Sequence, residues 1–363
     1  QEIYNMIRFW LEMGIDGFRL DAISHIQKAP WDFKITDNPW EPFMNVDGID
    51  TYMKELRTIF AEYGATTVGE ASGVSSRDAC FWTGENGYVD MIFELEHNVR
   101  RGKIGKETID ILGMKKVLAR WQNDLQEQGW NALYMENHDN PRTVSLLGDD
   151  SAKSAKAIAT MYLLLKGTPF VYQGQEIGMT NFPFSSMEQI DAEDTCNLYN
   201  AKLQAGYPEE VAFEQAVNWT RDHSRTPMQW DNQSNGGFTT GKPWMLVNPN
   251  TTEVNVAVER SCKDSVLAYY KQLIYLRKKD PVFLTGAFEL LLENHPQVFA
   301  YLRKTAQQQR LVLVNLGATP CQIDLPKSIY TKTWQACLSN THSIELKERL
   351  YIGPYDAWVF KSE

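Results

Sequence analysis

Five short apolar runs, each separated from the next by a longer amphipathic stretch, constrain what the first two thirds of this chain can fold into. The runs cover residues 15–21, 65–70, 88–94, 131–137 and 168–173. Helical patterns such as 51–63 and 154–166 lie between them, and Gly167 follows the second, as is common after a helix end. Strands that alternate with helices predict an α/β fold with parallel strands and crossover helices.

The ends of these predicted strands are polar. The first four runs end at Asp21, Glu70, Glu94 and Asn137. In open and closed α/β folds, ligands bind at the carboxyl ends of the strands. These positions are therefore candidates for a functional site.

Composition excludes several classes of partner and site. A net charge of -10 would repel a phosphate backbone, so we expect no nucleic-acid partner. The mean hydropathy is -0.40 and no run approaches the roughly 18 apolar residues of a membrane span, so we expect no membrane partner. Five scattered cysteines without a CxxC pair indicate neither a disulfide framework nor a zinc site, and they favour a cytoplasmic location.

The last part of the chain has a different pattern. Residues 181–255 are rich in Asn, Gly and aromatic side chains, which predicts a lid or subdomain, and a helix follows at 265–279. Short alternating runs then indicate antiparallel strands at 298–302, 311–314, 334–337 and 357–360. We predict an α/β domain over residues 1–284 and an antiparallel β-sandwich over 285–363.

The first candidate site lies in the sequence GFRLD at 17–21. The two-residue period of a strand places Arg19 and Asp21 on one face. A neighbouring guanidinium favours the ionised carboxylate, which suits a nucleophile, although a structural ion pair at a strand end would look the same.

Glu70 ends the second run without a cation beside it in sequence. Such a glutamate can stay protonated and act as a general acid, or it can be a solvated residue at the rim of the fold. With Asp21, it would give the two unlike carboxylates of a glycosidase.

The third candidate is the polar segment 134–142, which contains His138, Asp139 and Arg142. Polar crowding after a parallel strand favours a site over a purely structural His–Asp pair. Six histidines without HxH or HExxH spacing give no indication of a metal site.

In their order and spacing, GFRLD at 17–21, VGE at 68–70 and NHD at 137–139 resemble three signature regions of the α-amylase superfamily (family 13) of glycoside hydrolases. Three further stretches resemble its α-glucosidase and oligo-1,6-glucosidase subfamily: GTPFVYQGQEIGMTN at 167–181, RDHSRTPMQWD at 221–231 and GFTTGKPW at 237–244. The resemblance implies a (β/α)8 TIM barrel followed by an all-β domain.

The resemblance also implies roles for particular residues. Asp21 matches the nucleophile, Glu70 the general acid/base and Asp139 the carboxylate that stabilises the transition state. Further positions are candidates for substrate binding, either because the resemblance implies it or because they lie beside these carboxylates. They are Arg19, Ala22, His138, Arg225, the weaker candidate Arg221, and Phe93, a candidate platform for a sugar ring. The implied reaction needs no cofactor and takes a small oligosaccharide as its substrate.

Five strands are fewer than the eight of the family's barrel. We therefore expect three N-terminal β/α units to be missing from this chain, together with an Asp, a His and, in many members, a calcium loop. On this expectation the chain alone is inactive, and the missing N-terminal part of the same barrel is a partner.

The residue after the nucleophile bears on linkage preference. Ala22 stands where relatives specific for α-1,6 bonds usually have valine, and GEASGV at 69–74 and MIFELEH at 91–97 resemble the maltose-preferring members. These features favour an exo-acting α-1,4-glucosidase over an oligo-1,6-glucosidase. Trehalose-6-phosphate hydrolase, sucrose isomerase and a catalytically dead interaction module are further alternatives.

Overall fold

The computed structural model describes residues 1–35, 38–98, 100–101 and 108–362. These residues form two compact units. Unit 1 consists of Gln1–Asn98, Lys116–Leu133 and Lys166–Pro169, and unit 2 contains the other described residues.

The helices and strands are as follows. The helices are α1 (Glu2–Glu12), α2 (Ile49–Tyr63), α3 (Ala79–Thr83), α4 (Ile111–Asp124), α5 (Thr143–Leu146), α6 (Ala152–Leu163), α7 (Glu193–Gln204), α8 (Glu209–Val217), α9 (Asp222–Arg225), α10 (Val256–Ser261), α11 (Val266–Lys279), α12 (Val282–Thr285) and α13 (Lys327–Tyr330). The strands are β1 (Gly17–Leu20), β2 (Thr66–Glu70), β3 (Met91–Phe93), β4 (Arg100–Arg101), β5 (Thr108–Ile109), β6 (Ala132–Leu133), β7 (Thr168–Pro169), β8 (Ala287–Leu291), β9 (Val298–Lys304), β10 (Gln309–Asn315), β11 (Cys321–Asp324), β12 (Gln335–Ser339), β13 (Arg349–Ile352) and β14 (Ala357–Ser362).

Unit 1 contains five parallel strands. β1 pairs with β2 and β2 with β3, a parallel bridge joins Ile92 to Asn131, and β6 pairs with β7. Every strand lies inside one of the five predicted apolar runs, so the α/β prediction is confirmed. Parallel strands that follow each other in chain order, with helices between them, are the arrangement of a (β/α) barrel. The total number of barrel units stays a prediction.

The last two parallel strands are shorter than the runs that predicted them. In β7, Pro169 has no backbone N–H and ends the ladder after two residues. After β6 the chain turns, because the Glu136 carboxylate accepts a hydrogen bond from the Thr143 N–H at 2.9 Å. Both strands end within the apolar part of the predicted runs, before the polar residues Glu136 and Gln173.

The core of unit 1 lies between the parallel strands and their helices. Ile7 of α1, Met53 and Phe60 of α2, Trp82 of α3 and Ile92 of β3 belong to one buried cluster. α1 packs on α2, where Arg8 forms an ion pair with Glu62. β1 approaches β2 so closely at Gly17 that a Cβ there would lie 1.9 Å from the Thr66 carbonyl oxygen.

The antiparallel strands β8 to β14 of unit 2 form two sheets. The larger has the order β12-β14-β10-β9-β8, and β11 pairs with β13 in the smaller. Leu313 and Trp358 of the larger sheet share a buried cluster with Ile323 and Ile352 of the smaller. Two sheets around one apolar core agree with the predicted all-β sandwich.

The larger sheet is covered on its second face as well, which explains why β9, β10 and β14 are buried at almost every residue. α6 packs against β10 and β14 on that side. The Tyr301 hydroxyl donates a hydrogen bond to the Met161 carbonyl at 3.0 Å. A strand buried on both faces loses the alternating pattern, so the alternation expected at 298–302 and 311–314 is absent and both runs are apolar throughout.

Residues 181–255 contain more regular structure than their composition indicates. α7, α8 and α9 lie in this segment. The apolar period is weak because α7 buries only Thr195 and Lys202, and α8 only Ala212, Ala216 and Val217. Whether the segment is a lid or a subdomain stays a prediction.

Among the described residues, no helix combines the length and apolar character needed to cross a membrane.

Candidate active site

Unit 1 brings together Arg19, Asp21 and Glu70. The β1–β2 register pairs Leu20 with Gly69, so Asp21 and Glu70 each stand one residue beyond the last paired position. One nitrogen of the Arg19 guanidinium contacts Asp21 and the other contacts Glu70. A single guanidinium thus holds two carboxylates close together, a geometry that suits bidentate arginine.

The two carboxylates differ in exposure. The side chain of Asp21 is 73% exposed, whereas that of Glu70 is 22% exposed. Burial raises the pKa of Glu70; the charge of Asp21 and a hydrogen bond with it raise that pKa further, against the lowering effect of Arg19. The sequence showed no cation beside Glu70, but the fold places Arg19 next to it. The pKa of Glu70 is raised nonetheless, because the effect of burial is larger than that of Arg19. A glutamate with a raised pKa can hold a proton for a leaving group.

Two further predicted residues adjoin this cluster. Ala22 follows Asp21 with φ 43° and ψ 35°, a left-handed conformation that is uncommon for residues other than glycine. Its backbone N–H donates a hydrogen bond to Glu70. Phe93, at the end of β3, is the register partner of Glu70. Ala22 and Phe93 therefore both lie beside the candidate acid.

Unit 2 gathers its predicted residues around Asp139. Arg225 Nη2 lies 3.0 Å and Arg221 Nη1 lies 3.1 Å from Asp139 Oδ1. His138 Nε2 lies 3.3 Å from Asp139 Oδ2. The Asp139 N–H donates to Asn137 Oδ1 at 2.9 Å, which fixes the turn that presents the carboxylate. All four residues predicted from the NHD and RDHSR motifs are thus in contact.

The two arginines have different second partners. Arg225 Nε donates to the His138 carbonyl at 2.8 Å, so Arg225 is tied to both residues of the motif. Arg221 Nη2 instead donates to Asp194 at 3.0 Å. Arg225 is thus tied to the NHD motif at two points and Arg221 at one, and which of them binds substrate stays a prediction.

Arg225 also lines a cavity of about 470 Å³ in unit 2, together with Tyr172, Phe238 and Trp244 among others. Trp244 Nε1 donates to the Arg225 carbonyl at 3.0 Å, and the ring of Phe238 meets that of Trp244 edge-on. The aromatic walls and the arginine give the mixed apolar and polar lining that is common in ligand pockets.

Sequence reasoning assigned no role to two buried residues of the third motif. Arg142 is completely buried, and its Nη1 lies 3.2 Å from Glu136 Oε2. Burial raises the pKa of Glu136, and Arg142 opposes that rise. Buried charges require partners, and an arginine and a glutamate in one short segment behind a strand were the available signal.

No group of three or more His, Cys, Asp or Glu side chains within the described part of the chain is arranged to hold a metal ion. All five cysteines carry free thiols.

Two unlike carboxylates that share one arginine at the ends of parallel strands have a geometry that a glycosidase site can use. Residues 1–286 match the family model described as "Alpha amylase, catalytic domain", and residues 288–359 match "Maltogenic Amylase, C-terminal domain". The chain therefore belongs to the α-amylase family of glycoside hydrolases.

Individual relatives agree with this assignment. The chain is 44% identical to a probable oligo-1,6-glucosidase of Bacillus subtilis over 88% of its own length and 60% of that protein's. It is 39% identical to the oligo-1,6-glucosidase of Bacillus cereus over 99% of its length and 68% of the relative's. The crystal structure of Bacillus licheniformis trehalose-6-phosphate hydrolase superposes with a TM-score of 0.90 at 35% identity, covering 99% of this chain and 67% of that one. The chain thus spans about two thirds or less of these relatives.

Proposed function

We propose that this chain supplies the catalytic carboxylates of a retaining, exo-acting α-glucosidase that removes glucose from the non-reducing end of maltose or short gluco-oligosaccharides. The observation that carries the proposal is the Arg19 guanidinium in contact with both Asp21 and Glu70. The carboxyl groups of retaining glycosidases are only about 5 Å apart, and two carboxylates on one guanidinium fit that spacing.

The proposed reaction has two steps. In the first, the Asp21 carboxylate attacks the anomeric carbon while Glu70 gives its proton to the leaving glycosidic oxygen, so the C–O bond breaks and a β-glucosyl ester forms. In the second, Glu70, now ionised, takes a proton from water, which displaces Asp21 and releases α-glucose. The buried environment of Glu70 favours the protonated starting state, and the exposed Asp21 stays available as nucleophile.

The Asp139 group would bind the sugar whose bond is broken. We propose that Asp139 accepts hydrogen bonds from glucose hydroxyls and strengthens them as positive charge develops on the ring. Arg225 and His138 orient that carboxylate. Arg221 contacts it as well and is itself held by Asp194. Phe93 would pack on the sugar beside Glu70.

Two linkage preferences compete. The small side chain of Ala22 favours an α-1,4 preference, because it leaves room beside the leaving sugar. The names of the relatives from Bacillus cereus and Bacillus subtilis favour an oligo-1,6-glucosidase instead. We propose the α-1,4 preference and treat the α-1,6 activity as the second candidate.

Trehalose-6-phosphate hydrolysis is the alternative that the Bacillus licheniformis structure supports. A phosphorylated substrate needs cations at its phosphate, whereas Arg19, Arg221 and Arg225 each contact a carboxylate in this chain. An unphosphorylated glucoside is therefore the better match. The proposed reaction uses no cofactor, and the cytoplasmic location stays a prediction.

An apolar stripe on α1 bears on how the chain works. Ile3, Met6, Phe9 and Met13 recur every three or four residues and are all exposed. Contiguous apolar surface of this kind commonly marks an interaction site. We propose that further β/α polypeptide of the same barrel covers this stripe, and that the 363-residue chain alone is inactive.

The test compares maltose, isomaltose and trehalose 6-phosphate as substrates of the protein purified from its source. We expect maltose to have the highest kcat/KM, and ¹H NMR to show α-glucose as the first product. Release of β-glucose would contradict the retaining mechanism, and faster cleavage of isomaltose or of the phosphorylated sugar would change the substrate.

Variants test the assigned roles in the same assay. Asp21→Asn and Glu70→Gln should each lower kcat by about 10²–10⁴-fold, the range typical of a lost acid–base group. Asp16→Asn provides a matched control, because Asp16 precedes β1 and is exposed. Activity of the isolated 363-residue chain would disprove the proposal that it needs further polypeptide.

A further inference from the structure

Arg142 is the most thoroughly buried charge near the Asp139 group, with no exposed surface. Its guanidinium donates to the Gln173 carbonyl at 2.7 Å, to Glu136 Oε2 at 3.2 Å and to the Ser224 carbonyl at 3.5 Å. The guanidinium also lies over the ring of Tyr172, 5.3 Å from its centre. It therefore connects the segment after β6, the segment after β7 and the RDHSR motif at 221–225, all within unit 2.

The Ser224 carbonyl is the point at which these contacts converge. Besides Arg142, it accepts hydrogen bonds from the Tyr172 hydroxyl at 3.1 Å and from Gln173 Nε2 at 3.3 Å. Ser224 is itself fully buried. The next residue is Arg225, so whatever fixes this carbonyl also fixes the backbone from which Arg225 extends.

Arg142 and Arg225 both join the segment around Asp139 to the segment around Ser224, each from the opposite side. Arg142 follows Asp139 by three residues and reaches to Ser224. Arg225 follows Ser224 and reaches back to the His138 carbonyl and to Asp139 Oδ1. The two arginines close a ring of contacts around the carboxylate.

We propose that Arg142 is a positioning residue that sets the geometry of the Arg225–Asp139 pair by holding the Ser224 carbonyl. The inference rests on the proposed function only for its kinetic consequence. Arginine suits this role because its planar fork reaches several carbonyls at fixed angles, whereas a lysine offers one compact charge.

A competing explanation is that Arg142 only neutralises the buried Glu136. Glu136 also accepts a hydrogen bond from the Thr143 N–H, and a glutamine can accept the same bond. The double variant Arg142→Met with Glu136→Gln removes both charges and leaves no buried carboxylate without its partner. This variant separates the two explanations. It leaves no unpaired buried charge, but it lacks the guanidinium that holds the Ser224 carbonyl.

The kinetic experiment uses the protein purified in its active form, with maltose as substrate. Arg142→Lys should lower kcat about 10- to 100-fold, as expected when a catalytic group is misplaced by about 1 Å, and should change KM little. The same substitution in an Arg225→Ala background should cause little further loss, because both act through one pair. The Arg142→Met/Glu136→Gln variant should regain thermal stability but not kcat.

Arg277 provides the matched control. It is also buried, and it donates to the carbonyls of Leu163 and Leu165 in the same unit. Arg277→Lys should lower the unfolding temperature without a change in kcat beyond about twofold. Full recovery of kcat in the double variant, or additive losses with Arg225→Ala, would overturn the positioning role.

A second measurement does not depend on activity. The Arg225 Nε proton is bonded to the His138 carbonyl, and its exchange with solvent can be followed by NMR without substrate. Arg142→Lys should speed this exchange at least about tenfold, and Arg277→Lys should not. Unchanged exchange in Arg142→Lys would overturn the inference even if the protein cleaves no glucoside, whereas faster exchange in an inactive protein would refute the proposed function alone.

Discussion

The guanidinium of Arg19 contacts the carboxylate of Glu70, although 51 residues separate them in the sequence. The contact arises from the β1–β2 register, which places Arg19 opposite Val68, two residues before Glu70. Because Arg19 contacts Asp21 as well, any change in its charge acts on both carboxylates. Burial raises the pKa of Glu70 and Arg19 lowers it, and the effect of burial is the larger.

We predict that the alkaline limb of the pH–kcat/KM profile reports Glu70. Activity should fall as the pH rises through the raised pKa of Glu70, because the leaving oxygen then has no proton donor. Arg19→Gln should move this limb to higher pH, since Arg19 lowers that pKa. Lys54→Gln, at an exposed pair with Asp50, is the control that should leave the limb in place. A limb that moves to lower pH in Arg19→Gln would contradict the assignment.

We predict unequal effects at the two arginines that contact Asp139. Arg225→Ala removes bonds to both Asp139 and the His138 carbonyl and should cost about 1.5–3 kcal/mol in transition-state stabilisation, or about 10- to 100-fold in kcat/KM. Arg221→Ala should cost less than about tenfold, because Arg221 shares its guanidinium with Asp194. Steady-state kinetics on maltose measure both, and equal losses would show that the second contact of Arg225 has no role.

Ala22 allows linkage preference and backbone strain to be tested separately. Ala22→Val should shift the ratio of maltose to isomaltose cleavage toward isomaltose by about tenfold, within the 1–3 kcal/mol that a methyl-scale change provides. The same change should cost about 1–2 kcal/mol of stability, because a β-branched residue is disfavoured at φ 43°. Ala22→Gly tolerates that conformation and should leave the ratio unchanged. If both variants shift the ratio equally, the side chain does not set linkage.

His223 predicts a loss of stability in mild acid. Burial lowers its pKa to about 4, and the nearby Arg142 charge acts in the same direction. In the unfolded chain His223 protonates near pH 6.5, whereas the folded chain stays neutral until about pH 4. The free energy of unfolding should therefore fall by about 3 kcal/mol between those pH values and then level off.

Thermal unfolding between pH 7 and 4 checks this window. His223→Gln should flatten the pH dependence, even if it lowers stability at pH 7. His342→Gln, at an exposed histidine, should leave the slope as it is. An unchanged slope in His223→Gln would assign the acid sensitivity to other groups.

Sequence alone was sufficient for the elements whose local pattern and packing agree. Each of the five parallel strands lies within a predicted run, and the ends of α2, α6 and α11 lie within three residues of those of the predicted helices. The candidate site residues named from the NHD and RDHSR motifs lie in contact around Asp139, and their roles stay predictions.

The remaining features depend on register and burial, which no local pattern specifies. The environment of Glu70 follows from its pairing with Phe93 and from the reach of Arg19, and both depend on how three strands align. The contact of Arg142 with Ser224 spans 82 residues. α7 and α8 went unrecognised because helices that bury few apolar residues show little periodicity.

The double burial of the larger sheet has a consequence for the order in which the protein is made. α6 is buried at almost every position from Ser154 to Leu163, and two of the strands it packs against are β10 and β14. A ribosome produces β14 after every other strand of that sheet. A finished α6 therefore leaves the exit tunnel before the strands that cover it have been made, and the part of its surface that packs on β14 has no cover until Ala357–Ser362 have left the tunnel as well.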